Sequence, residues 1–424
     1  MKGSEARPSP ASPPVRVAVV ITRLIAGAGG VALRGALALD TKAFNVTILT
    51  ADGGDLIPQA RGAGRDVGLL RHMRPEIDPL EDLRAIRELS GWLGEGRFDL
   101  VHTHSSKAGA LGRIAARQVH VPAVHTFHGF PFHPFQSFIR RKAYVAVERR
   151  LGRITDAFLA TGSAVAAEAV RLGIAPPERI RAIGSAIGPG FHPRTEEAIA
   201  EARRRMDIPA GVRVVGTVGR LDHQKAPLDL VAALSRLRRE DVSFVWVGDG
   251  PLRRRVEEAV SAAGLDSRFL LLGERRDVAA LLPGFDLFAL PSLYEGLPRS
   301  IVEAMSCNVP VVATAVNAVP ELVVPGRTGL LVAPANPASM ASAIAHLLDH
   351  PAEASRMSGA AMAALGDRFL ETTLGRDIEE TYLSVLARAG RYGATTGRED
   401  ERPPRADLED EGKETGEPAR AESA

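Results

Sequence analysis

Residues 286–316, "DLFALPSLYEGLPRSIVEAMSCNVPVVATAV", contain the clearest fold signal in the sequence. An apolar run typical of a strand is followed by a Gly-Leu-Pro turn, the start of a helix, and a second, β-branched run. A strand, a helix and a strand in this order predict a parallel βαβ unit. Glu295 and Glu303 stand on either side of the turn. Ligands of parallel sheets bind beyond the carboxyl ends of the strands, so both carboxylates fall where a site is expected.

The same alternation of apolar runs and alanine-rich helical segments occurs in two series. The first begins at "VRVAVVITRL" and continues through "FNVTILTA", "FDLVHTHSS", "VPAVHTFHG" and "DAFLATGS". The second begins near residue 213 with "RVVGTVGRL" and continues through "VSFVWVGDG", "RFLLLGE", "LFALPSL", "VPVVATAV" and "GLLVAP". This repetition predicts an α/β fold of two Rossmann-like, doubly wound domains with a cleft between them. The Gly/Pro-rich segment "GSAIGPGFHPRTEEA" is the predicted hinge.

The predicted organisation has five parts. Residues 1–14 and the charged tail, residues 391–424, are predicted to be disordered, because they are polar and nearly free of aliphatic side chains. Residues 15–190 form the N-terminal domain and residues 191–375 the C-terminal domain. Residues 376–390 form a C-terminal helix that packs back toward the N-terminal domain.

Composition excludes several classes of protein. The net charge of +2 is too small to indicate a nucleic-acid partner. No apolar stretch approaches the length of about 18 residues needed to span a membrane, and the N-terminus has no signal-peptide core. The single cysteine, Cys307, rules out an internal disulfide and suits a reducing cytoplasm. The predicted location is therefore cytoplasmic, and peripheral attachment at the inner face of the cell membrane stays open.

Two motifs of the first series admit more than one interpretation. "GAGGVA", residues 27–32, matches G-x-G-x-x-A, and Asp52 follows at the distance expected of a dinucleotide site. The alternative is that Gly29 and Gly30 expose amides of a helix start to some other anion. Five histidines follow: His102, His104, His125, His128 and His133. His102 and His104 share a strand face, so a metal site is conceivable, but no acid or cysteine accompanies them. A single cleft histidine, His128, is the preferred interpretation.

The second series carries more specific signals. In "VGRLDHQKAP", Arg220 and Lys225 follow a strand end, where a guanidinium fork and an ammonium can clamp a diphosphate. Glu295 in the loop and Glu303 on the helix can accept hydrogen bonds from the hydroxyls of a ribose or a hexose. The alternative for Glu303 is an ordinary acid near the positive end of a helix dipole.

Residues 138–153, "FIRRKAYVAVERRLGR", hold six bases and one acid. Helical spacing predicts that Phe138, Tyr144, Val145 and Leu151 pack while the arginines project. Such a face is either solvated or contacts an anionic membrane surface or a phosphate-bearing acceptor.

The motifs "GRLDHQK", "VGDGP", "EGLPRSIVEAMSCNVPVVAT" and "PELVVPGRTGLLV" resemble those of the retaining GT-B glycosyltransferases of family 4 type, in which Glu295 and Glu303 match the E-x7-E pattern. This family includes bacterial capsule and exopolysaccharide enzymes. "VHTHSSKAGALGRIAA" and "HTFHGFPFH" are similar to the members that build lipid-linked repeat units. The resemblance covers residues 15–390. It implies an N-terminal acceptor domain and a C-terminal donor domain.

The resemblance also implies roles for the donor-binding residues. Arg220 and Lys225 would bind the diphosphate of a nucleotide-sugar, and Glu303 would hold the ribose hydroxyls. Gly29 and Gly30 would lie beside the diphosphate, although the family's paired glycines occur here within "GAGG".

The transferred sugar would be met by Glu295, by amides of Gly296 and Leu297, and by His128. The residues with catalytic roles are then Glu295, His128, Arg220 and Lys225. Transfer would proceed with retention by front-side attack, without a metal or another cofactor, since no D-x-D sequence follows a strand end. The expected donor is a UDP-linked hexose or N-acetylhexosamine, and the expected acceptor is a glycan or a polyprenyl-diphosphate-linked sugar.

Three rival functions stay open at this point. A nucleotide-sugar epimerase on the same fold would isomerise a donor supplied alone. An NAD-binding Rossmann protein would bind NADH. A non-catalytic scaffold would tolerate loss of Glu295 and Lys225.

Overall fold

The computed structural model describes residues 13–25, 27–95, 97–132, 135–209, 211–237 and 239–390. The predicted disordered N-terminus (apart from Pro13 and Pro14), His133 and the predicted disordered tail lie outside these ranges.

The first half of the chain forms one parallel, seven-stranded sheet. Its strands are β1 Val15–Ile21, β2 Phe44–Thr50, β3 Asp66–Leu69, β4 Leu100–His104, β5 Ala123–Phe127, β6 Ala157–Thr161 and β7 Ile180–Ile183, in the order β3-β2-β1-β4-β5-β6-β7. Its helices are α1 Ala28–Ala38, α2 Ile57–Gly62, α3 Pro79–Glu95, α4 Ser106–Gln118, α5 Phe138–Gly152 and α6 Ser163–Arg171, and Pro177–Arg179 forms a 3-10 turn. The central strands β4, β5 and β6 are buried along their whole length, as expected of strands covered on both faces.

The second half forms a parallel, six-stranded sheet. Its strands are β8 Arg213–Val218, β9 Val242–Val247, β10 Phe269–Leu271, β11 Leu287–Leu290, β12 Val311–Thr314 and β13 Leu330–Val332, in the order β10-β9-β8-β11-β12-β13. The helices are α7 Glu196–Arg205, α8 Pro227–Leu234, α9 Arg253–Ala262, α10 Val278–Leu281, α11 Arg299–Ser306, α12 Pro337–Asp349, α13 Pro351–Leu365 and α14 Glu371–Arg388. Short 3-10 turns cover Leu282–Gly284, Val319–Glu321 and Gly366–Phe369. The predicted fold class, two doubly wound parallel sheets, is confirmed.

Helix α14 packs on the N-terminal sheet. Gly35 and Gly375 make the close approach between α1 and α14 possible: a Cβ at Gly35 would lie 2.7 Å from the Ile378 side chain, and one at Gly375 would lie 2.7 Å from the Ala38 carbonyl oxygen. Tyr382 is almost completely buried, and its hydroxyl lies 2.6 Å from Nδ1 of His102 on β4. The last helix that the structure describes is therefore part of the first domain's core.

Within its described ranges, the chain crosses between the domains twice, and the two crossings touch. The Ile187 amide donates to the Phe369 carbonyl at 3.2 Å. A Cβ at Gly184 would lie 1.9 Å from the Arg368 carbonyl oxygen, so this glycine is required by the close approach of the two segments. The first crossing falls within the segment that the Gly/Pro content marked as a hinge.

Candidate active site at the interdomain cleft

Two glycines, Gly29 and Gly30, lie in the first turn of helix α1, just beyond the carboxyl end of β1. Gly27 turns the chain into the helix with a φ of 79°. Gly29 packs against the preceding turn, where a Cβ would lie 3.2 Å from the Arg23 carbonyl oxygen. A Cβ on Gly30 would instead lie 3.2 Å from Nη1 of Arg299, which belongs to the second domain. Gly30 therefore faces the cleft, whereas Gly29 serves the turn.

The histidines at the ends of β4 and β5 form buried, hydrogen-bonded pairs. Nε2 of His102 lies 2.7 Å from the Thr126 hydroxyl, and Nδ1 of His125 lies 2.9 Å from the Thr103 hydroxyl. Burial lowers the pKa of His102 to about 3 and holds the pKa of His125 well below its usual value. These rings are neutral structural groups, and among the residues that the structure describes no set of three or more His, Cys, Asp or Glu side chains could hold a metal ion.

His128 is the member of this group that reaches the second domain. Its Nε2 and Nδ1 of His104 are 2.9 Å apart and share one hydrogen bond. Burial first, and the nearby Arg299 cation second, lower the pKa of His128 to about 4. The ring is therefore neutral near pH 7, with its other nitrogen left for a further hydrogen bond.

Lys225 and Glu295, taken from two different loops of the second domain, form an ion pair. The Lys225 ammonium donates to Oε1 of Glu295 at 2.5 Å, and the Glu295 side chain is almost fully buried. The Ser292 hydroxyl also donates to Oε1, at 2.6 Å, and the Gln224 amide donates to Oε2 at 3.3 Å. Arg220 lies on the loop that carries Lys225 and is exposed. The two predicted phosphate and sugar ligands, Lys225 and Glu295, are thus in direct contact.

The loop that carries Lys225 is held close to the next strand by packing against glycine. A Cβ at Gly248 would lie 2.1 Å from the Gly219 carbonyl oxygen, and Trp246 donates its indole N–H to that oxygen at 2.7 Å. The loop ends at Ala226, whose φ of 45° is in the left-handed region. The position of Lys225 is therefore determined by the backbone of β8 and β9.

Glu303 lies on α11 and pairs with an arginine that the sequence pattern did not single out. Nη2 of Arg299 donates to Oε1 of Glu303 at 2.8 Å, and Glu303 is buried. Arg34 on α1 lies nearby, because its Nη2 is 3.4 Å from the position that a Cβ on Gly30 would take. The i, i+4 spacing of Arg299 and Glu303 was the only sequence signal for this pair, and Arg34 had none.

The two domains touch at the glycine that follows Glu295. A Cβ on Gly296 would lie 2.1 Å from the His128 carbonyl oxygen, so only glycine fits at this approach. Leu297, next in the chain, is buried in the second domain's core. Gly296 and His128, both predicted to face the sugar, are therefore brought together from opposite sides of the cleft.

A second contact between the domains is made by Glu321. Its carboxylate accepts hydrogen bonds from the amides of Ser163 at 2.9 Å and Ala164 at 2.5 Å, at the N-terminus of α6. Arg368 donates to the same carboxylate at 3.0 Å. These partners hold the pKa of Glu321 below its usual value in spite of burial, which acts the other way.

The structure corrects one expectation about the first domain. Phe138, predicted to pack, is 68% exposed, whereas Val145 and Leu151 of the same helix are buried. In the same domain, Lys107 on α4 pairs with Asp82 on α3 at 2.5 Å and has a mostly buried side chain.

Both halves of the chain match families of known proteins. Residues 26–186 match the family described as "Glycosyl transferase 4-like domain", and residues 212–350 match "Glycosyl transferases group 1". A 2-deoxystreptamine glucosyltransferase of Streptomyces kanamyceticus is 34% identical over 291 residues, which cover 64% of this chain and 73% of that protein. The UDP-Gal:alpha-D-GlcNAc-diphosphoundecaprenol alpha-1,3-galactosyltransferase of Escherichia coli is 29% identical over 306 residues, which cover 70% and 79%.

Solved structures share the fold. The Anabaena protein Alr3699/HepE in complex with UDP and glucose superposes with a TM-score of 0.78 at 22% identity, over 87% of this chain and 100% of that one. WaaG, a glycosyltransferase involved in lipopolysaccharide biosynthesis, gives a TM-score of 0.69 at 17% identity, over 86% and 99%. In the described part of this chain, no helix is both long enough and apolar enough to cross a membrane.

Proposed function

The chain belongs to the group 1 glycosyltransferases of GT-B fold, and we propose that it transfers a hexose or N-acetylhexosamine from a UDP-linked donor to a lipid-linked or glycan acceptor, with retention of configuration and without a metal. The observation that carries the proposal is the cluster at the cleft: the Lys225–Glu295 pair, Arg220 on the same loop, and Glu303 one helix turn beyond Arg299. The group matches the chemistry of a nucleotide-sugar, which presents a diphosphate between two hydroxyl-bearing rings.

The roles that we assign follow the charges. Arg220 and Lys225 bind the diphosphate, and Glu303 accepts hydrogen bonds from the ribose hydroxyls. The clamp stabilises the charge that develops on the diphosphate as its bond to the sugar breaks. Removing one such donor from an active site typically lowers the reaction rate by about 10²–10³-fold. This cationic environment supports transfer without a divalent ion.

The sugar occupies the space between Glu295, Gly296 and His128. We propose that the acceptor hydroxyl approaches from the face that the diphosphate leaves. The new C–O bond forms on that face, the bond between the anomeric carbon and the phosphate oxygen breaks, and the hydroxyl proton passes to the leaving diphosphate. His128, neutral and held by His104, orients the sugar by a hydrogen bond. Contact between the domains at Gly296 excludes water from the reacting centre.

The proposed lipid-linked acceptor is supported by the N-terminal end of α5. Phe138 and Ile139 are 68% and 81% exposed, and Arg140 and Lys142 beside them are exposed as well. Helix N-termini lie at the carboxyl edge of a parallel sheet, so this apolar and basic surface is at the rim of the cleft. We propose that it rests on an anionic membrane surface, where a lipid-linked sugar is presented, in a step of cell-surface polysaccharide synthesis. The Escherichia coli relative is named for a diphosphoundecaprenol acceptor.

The experiment that tests the function is a donor screen by released nucleoside diphosphate. The purified protein is incubated with UDP- and GDP-linked sugars, with and without a polyprenyl-diphosphate N-acetylglucosamine acceptor, in the presence and absence of EDTA. We expect UDP release that requires the acceptor and survives EDTA, and an α-linked product from an α-linked donor by proton NMR. An isomerised sugar from donor alone, or a β-linked product, would contradict the proposal.

Two variants separate the ends of the donor. Glu303→Ala is expected mainly to weaken UDP binding, and Glu295→Ala mainly to lower kcat. If the two variants behave the other way round, the donor lies in the opposite orientation. Glu201→Ala, on the exposed face of α7, serves as the matched control.

For the membrane surface, flotation with vesicles of phosphatidylglycerol and of phosphatidylcholine is the test. The double variant Phe138→Ser/Ile139→Ser is expected not to bind the anionic vesicles. Its affinity for UDP, measured without acceptor, should stay unchanged. Equal binding to both vesicle types, or full binding by the double variant, would exclude this surface.

A further inference from the structure

Two arginines, one from each domain, converge at Gly30. The position that a Cβ would take on Gly30 lies 3.2 Å from Nη1 of Arg299 and 3.4 Å from Nη2 of Arg34. The two nitrogens are therefore no more than 6.6 Å apart, the sum of these distances. Charge-assisted N–H···O bonds are about 2.7–2.9 Å long, so the oxygens of one phosphate group can reach both guanidinium groups.

The donors of this pair are only partly used. Nη2 of Arg34 and Nε of Arg299 are buried and have no hydrogen-bond partner among the described residues. Buried guanidinium groups normally satisfy their N–H donors, since a buried donor without a partner has lost its hydrogen bonds to water, at a cost that is larger for a charged group. Both arginines therefore have hydrogen bonds available to an anion.

The carboxylate that bonds to this pair reaches only one of its two guanidinium groups among the described residues. Glu303 bonds to Arg299, whereas the hydrogen bond from Arg34 to a described residue goes to a backbone oxygen, that of Ala186, at 2.8 Å. Burial and the neighbouring Arg299 lower the pKa of Arg34 to about 10, and Glu303 and Glu371 oppose this only in part. Two cations held side by side repel each other unless an anion lies between them.

The backbone explains why the space above Gly30 stays open. Any side chain at this position would meet both guanidinium groups at 3.2–3.4 Å. The hydrogen bond from Nε of Arg34 to the Ala186 carbonyl also fixes the guanidinium group against the segment that connects the domains. The pair is thus positioned in advance, with one member on each side of the cleft.

We infer that Arg34 and Arg299 together bind a phosphate group between the two domains, in addition to the clamp of Arg220 and Lys225. The inference rests on the proposed function for its ligand. The phosphate comes either from the UDP part of the donor or from the diphosphate of a lipid-linked acceptor. Because the arginines belong to different domains, the bound phosphate links the domains in the closed arrangement.

Binding measurements distinguish the two sources without depending on transfer. Arg34→Gln and Arg299→Gln are titrated calorimetrically with UDP, uridine and farnesyl diphosphate. If the donor supplies the phosphate, each variant binds UDP about ten-fold or more weakly, as expected for a lost charge-assisted bond, and binds uridine as the wild type does. If the acceptor supplies it, UDP affinity is unchanged and farnesyl diphosphate affinity falls by about the same factor.

Control variants keep the inference falsifiable. Arg34→Lys and Arg299→Lys retain the charge and should restore part of the lost affinity, which a purely structural role of the arginines would not predict. Arg204→Gln, on the exposed face of α7, should bind all ligands as the wild type does. Unchanged affinity of both glutamine variants for both diphosphates would overturn the inference. If the wild type binds them but transfers no sugar in the donor screen, the proposed function fails while the phosphate site stands.

Discussion

Replacing Gly296 by alanine tests the closed cleft directly. The added Cβ would lie 2.1 Å from the His128 carbonyl oxygen and 3.1 Å from the carbon of that carbonyl, both of which are backbone atoms that cannot rotate away. Since non-bonded carbon contacts are normally above 3 Å, the two segments must separate by about 1 Å. The donor clamp, which lies wholly in the second domain, is not disturbed by this separation.

The expected cost falls on transfer and not on folding. A misplacement of about 1 Å between reacting groups lowers the rate by about 10²-fold, so kcat/KM of Gly296→Ala should fall by roughly that factor. The free energy of unfolding should change by less than about 0.5 kcal/mol, because the clash disappears when the domains part. UDP affinity should stay within about three-fold of the wild type, a difference of less than 1 kcal/mol, if the acceptor supplies the phosphate that Arg34 and Arg299 bind, and should fall further if the donor supplies it.

The assay compares Gly296→Ala with Gly91→Ala on α3. Gly91 has open space around its Cβ position and lies in a helix, so alanine there should leave transfer unchanged and stabilise the protein by up to about 1 kcal/mol. Released UDP gives kcat/KM, and urea unfolding gives the stability. A Gly296→Ala enzyme with wild-type kcat/KM would refute the conclusion that His128 and Gly296 meet during catalysis.

Three further predictions concern stability and are all measured by urea unfolding. Glu321→Gln, which removes the charged acceptor at the start of α6, should lower the unfolding free energy by about 1–2 kcal/mol; an unchanged midpoint would mean that this contact does not hold the domains together. Tyr382→Phe leaves Nδ1 of His102 without its buried partner and should cost about 1–3 kcal/mol, whereas a neutral result would contradict the bond. The pKa values of about 3 for His102 and about 4 for His128 lie below the ordinary value of 6.5. At any pH between the lowered value and the ordinary one, the unfolded chain therefore binds more protons than the folded chain. Stability should therefore fall as the pH drops below 6.5, by up to about 1.4 kcal/mol per pH unit for each ring. His128→Asn should make this fall less steep while His102 still contributes, and a flat wild-type profile would show that the rings are not buried.

Strand placement could be predicted wherever a strand is covered on both faces. Such strands are nearly continuous apolar runs, as in β9, β11 and β12 of the second sheet, which are buried along their whole length. The edge strands β3, "DVGL", and β7, "IRAI", were missed because charged residues and a glycine interrupt their apolar runs. The shorter edge strands β10, "FLL", and β13, "LLV", could be predicted because they are wholly apolar.

The sequence allowed several site residues to be assigned to the cleft, but it did not reveal which of them bond to each other. Parallel strands bring their carboxyl ends to one edge, so Lys225 and Glu295 could both be assigned to the cleft from their place in the chain. That they bond to each other could not, because the contact depends on side chains from loops 70 residues apart. Arg34 and Glu321 could not be found at all, since each meets residues of the other domain and leaves no local pattern.

The Lys225–Glu295 pair changes how the donor site must work. A carboxylate offers about four lone-pair positions, and Lys225, Ser292 and Gln224 occupy three of those on Glu295. One position remains on Oε2, so Glu295 can accept a hydrogen bond from one sugar hydroxyl and takes a second only if Gln224 moves away. The Lys225 ammonium has three donors, so it can keep Glu295 and still bond to a phosphate oxygen. The phosphate end and the sugar end of the site are therefore one rigid unit, and removing either charge leaves the other unpaired in a nearly buried position. Substitutions at Lys225 and Glu295 consequently act on the same interaction, and their effects on donor binding and on transfer cannot add.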